Sequence, residues 1–127
     1  MEFLNNLKNV PAAVGAYSQA VKAGGLLFCS GQIGIDPATG VLVPGGVEEE
    51  LGQVLRNIDS VLAGSGATKE QIAMTSIFLA DIADGKVVNK LYGEYVHPTN
   101  PPARQTIAVK DLPLAARVEI SVIVACG

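Results

Sequence analysis

The sequence predicts a two-layer α+β domain in which two helices cover one face of a six-stranded mixed sheet. Six segments show the two-residue alternation of apolar side chains that is typical of strands. Two other segments place apolar residues at steps of three and four, the spacing of amphipathic helices. The elements follow one another in the order β-β-β-α-β-α-β-β, and the 127 residues correspond to a single domain, residues 1–127.

The first three strands are predicted at residues 3–7, 17–23 and 26–33. Gly24-Gly25 is a hairpin turn signal between the second and third strands. A second turn is expected at residues 36–40, where the sequence reads DPATG. Alternation within the third strand puts Leu26, Phe28, Ser30 and Gln32 on one face and Leu27, Cys29, Gly31 and Ile33 on the other.

The two helices are predicted at residues 47–63 and from about residue 84 to the segment before Pro98, which prevents continuation. The first helix carries one apolar stripe, formed by Val47, Leu51, Val54, Leu55, Ile58, Val61 and Leu62. Glu48, Glu49 and Glu50 occupy its first turn, where they suit the positive end of the helix dipole. We interpret these three residues as helix-end charges. Gly64 and Gly66 end the helix.

The remaining strands, at residues 72–80, 103–109 and 116–125, carry two unusual charges. Arg104 shares a face with Thr106, and Glu119 lies opposite the apolar face of Val118 and Ile120. A charge near the start of an apolar strand is costly unless it is paired or used. Two interpretations stay open. The charges form an ion pair or solvated strand ends, or Arg104 holds a small anion while Glu119 moves a proton beside it.

Composition narrows the functional classes. Hydrophobic residues make up 49% of the chain and charged residues only 17%, so we expect an oligomer that buries surface between subunits. No apolar run approaches the roughly 20 residues that span a bilayer. The start MEFLNNLKNV lacks the basic region and long apolar core of a signal peptide, so no membrane partner and a cytoplasmic location are expected.

Few side chains are suited to metal or nucleic-acid binding. The two cysteines, Cys29 and Cys126, lie in apolar strand-like segments and are expected to be reduced and buried. His97 is the single histidine, which argues against a multi-histidine metal site or a Ser/His triad. The net charge is −3 and there are only three Phe and three Tyr, so nucleic acid is an unfavoured partner.

Several short motifs identify a family resemblance over nearly the whole chain. They are residues 16–20 (AYSQA), 30–33 (SGQI), 37–40 (PATG), 102–104 (PAR) and 118–120 (VEI), with Asn57 and Asn89 in the helices. In this order and spacing they resemble the RidA/YjgF/YER057c group, which has a chorismate-mutase-like fold. The resemblance implies a homotrimer with clefts between subunits. It also implies hydrolysis of enamines and imines such as 2-aminoacrylate to 2-keto acids and ammonia, with no cofactor.

The resemblance also assigns roles to individual residues. Arg104 matches a carboxylate-binding arginine, and Glu119 matches a glutamate that positions or activates water. The substrate-binding matches are Tyr17, Ser30, Gly31, Asn89 and Thr106. Thr106 stands where several members carry Cys, so a thiol-based step is unavailable here, although backbone contacts at this position would persist. Gln105 replaces a usually small residue and faces away from Arg104, so we expect it to affect packing.

The expected mechanism uses simple chemistry. The arginine fork can hold a planar 2-imino or 2-keto carboxylate with two parallel hydrogen bonds, which a lysine cannot provide. Glu119, partly buried at an interface, would have a raised pKa and transfer a proton. Two other functions remain open: a non-catalytic trimer that binds small carboxylates, and a ribonuclease or translation inhibitor, a label that some relatives carry. The acidic composition argues against the second.

Overall fold

The computed structural model describes residues 1–126 and has the predicted order of strands and helices. The elements are β1 Glu2–Leu4, β2 Ala20–Ala23, β3 Leu26–Gln32, α1 Val47–Gly64, β4 Ile72–Leu79, α2 Gly85–Tyr95, β5 Ala103–Ala108 and β6 Val118–Ala125. Three single-turn 3-10 helices occur at Lys69–Gln71, Ile82–Asp84 and Pro113–Ala115. Within the described residues no helix is long and apolar enough to cross a membrane.

The six strands form one mixed sheet in the order β1-β2-β3-β6-β4-β5. β4 and β5 run parallel and are joined through α2, whereas the other neighbouring strands run antiparallel. β5 is therefore an edge strand. The two-layer α+β architecture with a mixed sheet is confirmed.

The core lies between the helices and one face of the sheet. Val118, Ile120, Val122 and Val124 of β6 are all buried there, together with Leu51, Val54, Ile58 and Val61 of α1. We call the other side of the sheet the open face. It presents Phe3, Phe28 and Ile107, which remain 60%, 42% and 47% exposed in the single chain. The sheet thus keeps an uncovered apolar face, as the helix count predicts.

β1 and β2 are both shorter than predicted, because side-chain hydrogen bonds replace the strand ladder. Asn6 adopts a left-handed conformation with φ 54°, which ends β1. The Leu7 N–H then donates to Gln19 Oε1 at 2.9 Å, and Gln19 Nε2 donates to the Pro11 carbonyl at 2.8 Å. The buried Gln19 therefore anchors residues 5–11. Tyr17 lies in the loop before β2 and not in a strand.

A β-bulge corrects the predicted faces of β3. The pairing of β3 with β6 shifts register between Cys29 and Gln32. After the bulge Gln32 is opposite Ile120 and is buried, whereas Gly31 is exposed and lies against Glu119. The prediction that put Gln32 with Phe28, and Gly31 on the opposite face, was wrong, since a bulge adds one residue to one strand and reverses the alternation beyond it.

Glu50 also differs from its prediction. It is buried with 4% exposure, and its Oε1 accepts a hydrogen bond from the Arg117 backbone N–H at 2.8 Å. The Arg117 guanidinium donates to both carboxylate oxygens of Asp84, at 2.8 and 3.0 Å. Glu50 is therefore a structural acceptor and not a solvated helix-end charge. Both helices are tied to the residue that precedes β6.

Several other boundaries move by one or two residues. β6 begins at Val118 and not at residue 116, because the preceding Leu114 and Ala115 adopt left-handed conformations with φ 57° and 56°. Such a turn is incompatible with a strand. The Gly24-Gly25 hairpin is confirmed, with φ values of 60° and 77° at the two glycines. The turn at residues 36–40 is also confirmed, since the Gly40 N–H donates to the Asp36 carbonyl at 2.8 Å.

Within residues 1–126 the cysteines and the histidine share no metal-binding cluster. Cys29 and Cys126 are both free, and Cys29 is buried as predicted, whereas Cys126 is only partly buried, so its predicted burial was wrong. Burial, and secondarily the nearby Cys126, raise the pKa of the Cys29 thiol to about 12, so its reactive thiolate form is disfavoured. His97 Nδ1 accepts from the backbone N–H groups of Thr99 and Asn100 at 3.2 and 3.1 Å. That contact gives His97 a structural role in the turn after α2.

Candidate functional site

A cavity of about 740 Å³ on the open face brings together four of the predicted site residues. Tyr17, Ser30, Gly31 and Glu119 all line it. The remaining wall is largely apolar and is formed by Pro11, Val14, Ile33, Ile35, Pro37, Pro113 and Leu114, among others. Glu119 is the one ionisable acid in this lining, and no Lys or Arg belongs to it.

Glu119 is placed near the start of β6, on the open face. Burial raises the pKa of its carboxyl above the ordinary value of 4.5, because desolvation disfavours the charged form. No cation compensates within the cavity lining. A carboxyl whose pKa is raised towards the pH of the solution exchanges protons more effectively there. The position of Glu119 therefore suits proton transfer to or from a molecule in the cavity.

The Glu119 carboxyl occupies the space that a side chain at position 31 would fill, which explains the glycine there. A Cβ built on Gly31 would lie 2.8 Å from Glu119 Oε2 and 3.0 Å from its Cδ. The first distance is shorter than the contacts that Cβ atoms make in proteins, and the second is at the tight end of them. The bulge in β3 delivers the glycine to this point, so the backbone of β3 and the carboxyl of Glu119 pack directly together.

Replacing Gly31 by alanine is expected to displace the Glu119 carboxyl while the fold persists. The clashing atoms belong to the end of a side chain that can rotate, so the free energy of unfolding should change by less than about 1 kcal/mol. Activity should fall about tenfold or more, since a misplacement of about 1 Å can cost up to about 10²-fold. Gly93→Ala is the control, because no atom lies within 4 Å of its Cβ position. Wild-type activity in Gly31→Ala would contradict the placement of Glu119.

Ser30 and Tyr17 form the side of the cavity next to Glu119. Ser30 Oγ donates to the Ser18 carbonyl at 2.6 Å, so the hydroxyl already satisfies a backbone group and keeps only acceptor capacity for a ligand. Tyr17 is 50% exposed. Its hydroxyl makes no hydrogen bond within residues 1–126. Its ring packs beside Gly15, since a Cβ built on that glycine would lie 3.4 Å from Tyr17 Cε2.

Arg104 lies elsewhere in the chain, on edge strand β5. Its Nη1 donates to Asn89 Oδ1 of α2 at 2.7 Å, and its Cζ lies over the Tyr92 ring, 5.5 Å from the centroid. Among residues 1–126 no carboxylate forms an ion pair with it. The guanidinium is exposed and has five N–H donors, of which Asn89 uses one. The other N–H groups of the guanidinium remain free to donate two parallel hydrogen bonds to a carboxylate ligand.

The two residues after Arg104 point in opposite directions, as alternation predicts. Gln105 faces the open side and donates to Ser76 Oγ at 3.1 Å, so it contributes to packing there. Thr106 shares the helix side with Arg104, and its Oγ1 is buried without a hydrogen-bond partner in the described chain. A ligand contact from the Thr106 side chain therefore requires movement, whereas its backbone stays on the edge strand.

Arg104 and Glu119 lie on opposite faces of the sheet. Arg104 is in register with Thr75 of β4, which is buried beneath α2, whereas Glu119 is in register with Phe78. Thr75 and Phe78 are three positions apart and so face opposite sides. The spacing of two strands and three residues separates the Cα atoms of Arg104 and Glu119 by roughly 14 Å. The interpretation of these two charges as an intrachain ion pair is therefore wrong.

One chain thus carries two half-sites. We call the cavity with Tyr17, Ser30, Gly31 and Glu119 the acid half-site, and Arg104 with Asn89 the arginine half-site. Sequence reasoning did not identify Tyr92 as the neighbour of Arg104 or Leu114 as part of the cavity wall. Tyr92 is three residues after Asn89 in α2, which would have indicated that the two share a helix face.

Asn57, one of the residues that carry the family resemblance, supports the wall of the acid half-site. It is 1% exposed, and its Nδ2 donates to the carbonyls of Ile33 and Ile35 at 3.2 and 2.9 Å. Gln53 Nε2 donates to Asn57 Oδ1 at 2.8 Å. The amide therefore ties α1 to the segment that forms one wall of the cavity.

Comparisons with known proteins agree with the fold and the motifs. The family model described as endoribonuclease L-PSP matches residues 7–126. The chain is 47% identical over 116 residues to Reactive Intermediate Deaminase A of Arabidopsis thaliana, covering 91% of this chain and 62% of that protein. It is 45% identical over 117 residues to a 2-iminobutanoate/2-iminopropanoate deaminase of Rattus norvegicus, covering 92% and 85%. The chain thus spans less than two thirds of the Arabidopsis relative.

Solved structures show the same architecture. A Rid-family protein of unknown function from Yersinia pestis superposes with a TM-score of 0.92 at 46% identity, covering 96% of this chain and 97% of that one. TdcF of Escherichia coli with bound serine superposes with a TM-score of 0.91 at 27% identity, covering 99% and 100%. The family model matches residues 7–126, which is nearly the whole of this chain. The chain therefore belongs to the endoribonuclease L-PSP family, the RidA/YjgF/YER057c group.

Proposed function

We propose that this protein hydrolyses 2-imino acids, and the 2-enamine tautomers from which they form, to 2-keto acids and ammonia. The observation that carries the proposal is that one chain presents both an exposed arginine without a carboxylate partner and a cavity whose one acidic residue, Glu119, has a raised pKa. Such a pair can bind a small carboxylate and exchange a proton next to it. The deaminase names of the Arabidopsis and rat relatives support the same reaction.

We further propose that each complete site forms between two copies of the chain in a homotrimer. The half-sites lie on opposite faces and roughly 14 Å apart, so one chain cannot place both on a three- or four-carbon substrate. Arg104 lies at an edge strand and Glu119 on an uncovered apolar face, which are both surfaces available to a neighbour. The substrate would bind in the cleft where one copy's edge meets the other's open face.

Arg104 is assigned the binding step. Its free fork donates two parallel hydrogen bonds to the substrate carboxylate, which fixes the position and the plane of the conjugated imine together. Asn89 holds the guanidinium by accepting a 2.7 Å hydrogen bond from Nη1. Backbone groups of Gly31 and Thr106 lie at the edges of the two half-sites and complete the proposed contacts with Tyr17 and Ser30.

Glu119 is assigned the proton transfers. An enamine first takes a proton from solvent at C3 and becomes the iminium, the protonated form of the imine. Ionised Glu119 then accepts a proton from water as the water oxygen bonds to C2, giving a carbinolamine. The protonated carboxyl returns that proton to nitrogen, and the C2–N bond breaks so that ammonia leaves with the bonding pair. The hydroxyl proton passes to the again ionised Glu119 and then to solvent as C2 becomes the carbonyl of the keto acid. Water supplies all the atoms gained, so no cofactor or metal is proposed.

A second function, non-catalytic binding of small carboxylates, has support from one observation. A structural relative, TdcF, was solved with bound serine. An arginine half-site of the present geometry would hold an amino-acid or keto-acid carboxylate equally well. Binding and hydrolysis differ only in whether Glu119 performs the proton transfers.

A coupled assay separates these functions. A threonine or serine dehydratase generates the enamine in the presence of the protein, and formation of the 2-keto acid is followed against the uncatalysed rate. Acceleration that depends on Arg104 and Glu119 would support the deaminase. Binding of 2-oxobutanoate without acceleration would favour the binding function. RNA cleavage lost on Arg104→Ala, with no effect on imines, would replace both with a nuclease.

A further inference from the structure

The strongest unexplained feature near the arginine half-site is the buried Tyr92. It is only 4% exposed, yet its ring faces the exposed guanidinium of Arg104 at 5.5 Å from Cζ to centroid. Its hydroxyl donates to Thr75 Oγ1 of β4 at 2.9 Å, and Thr75 is 1% exposed. The ring is thus fixed at both ends, by the helix backbone and by the sheet.

The two partners of the Arg104 guanidinium within residues 1–126, Asn89 and Tyr92, are both neutral. Within the described residues the ion pairs are Lys22 with Glu2 and Arg117 with Asp84, and Arg104 takes part in neither. It is held by the amide oxygen of Asn89 and the face of the Tyr92 ring. A carboxylate partner would restrain the guanidinium equally well but would compete with an anionic ligand. Neutral partners restrain it and leave the positive charge available.

We propose that Tyr92 is a positioning residue, whose ring holds the Arg104 guanidinium in the orientation that receives the substrate carboxylate. A free arginine side chain has large rotamer entropy that a ligand must otherwise remove on binding. The ring removes part of that entropy in advance, because cation–π attraction favours one placement of the guanidinium plane. The effect on substrate rests on the proposed function, whereas the effect on Arg104 itself does not.

Three variants separate the ring from its packing and its hydroxyl. Tyr92→Leu keeps an apolar side chain but removes the ring, and should raise KM about two- to fivefold with kcat nearly unchanged. Tyr92→Phe keeps the ring and should retain KM within twofold. Thr75→Val removes the hydroxyl's partner, so it should lower stability without changing KM. Equal KM in Tyr92→Leu and wild type, or an equal KM increase in Tyr92→Phe and Tyr92→Leu, would overturn the proposal.

A second measurement needs neither substrate nor a destabilised variant. Arginine side-chain NMR of the wild-type protein should show a restrained Arg104 Nε–H, with its δ-methylene protons shifted upfield by the Tyr92 ring. Arg56, which also donates one hydrogen bond to a side-chain amide oxygen but contacts no aromatic ring within residues 1–126, provides the internal comparison and should be more mobile and show no upfield shift. An Arg104 as mobile as Arg56 would overturn the proposal. A rigid Arg104 in a protein without deaminase activity would uphold the positioning role and reject only the proposed function.

Discussion

Replacing Arg104 by alanine is expected to lower kcat/KM for the imine by about 10²- to 10³-fold. The loss of a charge-assisted, bidentate contact to a carboxylate costs about 3 to 4 kcal/mol. The fold and the oligomer should persist, because Arg104 is exposed and forms no ion pair within residues 1–126. Thermal unfolding and mass measurement in solution check that the variant remains assembled while the coupled assay measures the loss.

Two further variants identify what Arg104 supplies. Arg104→Lys keeps the charge but not the fork, so its activity should lie between those of wild type and Arg104→Ala. Arg56→Ala removes another exposed arginine, which contacts only Gln53 at 3.1 Å, and should retain full activity. An assembled Arg104→Ala protein with wild-type kcat/KM would exclude Arg104 from substrate binding.

Replacing Glu119 by glutamine is expected to lower kcat by about 10²- to 10⁴-fold, the contribution of a positioned general acid or base. Glutamine has nearly the same shape, so it fits against Gly31 and leaves the cavity intact. KM should change little, because the substrate carboxylate is held by Arg104. Glu94→Gln, an exposed glutamate on α2, is the matched control and should have wild-type kinetics. Full activity in Glu119→Gln would remove the proton-transfer role.

The same substitution predicts a change in the pH profile. Ionised Glu119 is the base that accepts the proton of water, so wild-type kcat/KM should fall as pH decreases through the raised pKa of Glu119. The acid limb should therefore lie above pH 4.5, the ordinary pKa of the group. Glu119→Gln should lack this limb in its residual activity. An unchanged limb in the variant would assign it to another group.

Stability should move in the opposite direction from activity. Burial raises the folded-state pKa of Glu119, so the folded state binds more protons than the unfolded state between the two pKa values. The contribution to the free energy of unfolding is fully present below the unfolded pKa and is lost as pH rises through the folded pKa. Glu119→Gln lacks this loss, so at pH 7 it should be at least as stable as wild type. Chemical denaturation at pH 4 and pH 7 measures the difference.

The alternation of apolar residues was sufficient to predict six strands and their order along the chain. β6 shows why: Val118, Ile120, Val122 and Val124 are buried on one side, and Glu119 faces the other, as their spacing in the sequence requires. The two helices and the uncovered face follow from similar patterns. This alternation involves only residues that are close together in the chain, so it can be recognised from the sequence alone.

Features that depend on distant contacts were not predictable in this way. The bulge in β3 reverses the faces of Gly31 and Gln32, and it depends on the pairing with β6. The burial of Glu50 depends on a hydrogen bond from Arg117, which is 67 positions away. Neither the register between strands nor a long-range hydrogen bond leaves a periodic signal in one sequence.

The site was predictable as a set of residues but not as an arrangement. The family motifs selected Arg104, Glu119 and Gly31, and the structure places Glu119 and Gly31 in direct contact. The separation of Arg104 from Glu119 required the register of both strands with β4. Because Arg104 and Glu119 lie on opposite faces of the sheet, we propose that a complete site takes them from two copies of the chain.

Complementation between inactive variants tests this proposal most directly. Arg104→Ala and Glu119→Gln chains, carrying different affinity tags, are coexpressed, and mixed oligomers are purified through both tags. A site that takes Arg104 from one copy and Glu119 from its neighbour is intact when the first copy is the Glu119→Gln chain and the neighbour is the Arg104→Ala chain. In a trimer that contains both variants, one of the three sites is intact, because only one neighbouring pair combines an unchanged Arg104 with an unchanged Glu119. The mixed oligomers should therefore recover about a third of wild-type deaminase activity, whereas each variant alone stays inactive. Mixed oligomers as inactive as their parents would contradict the account.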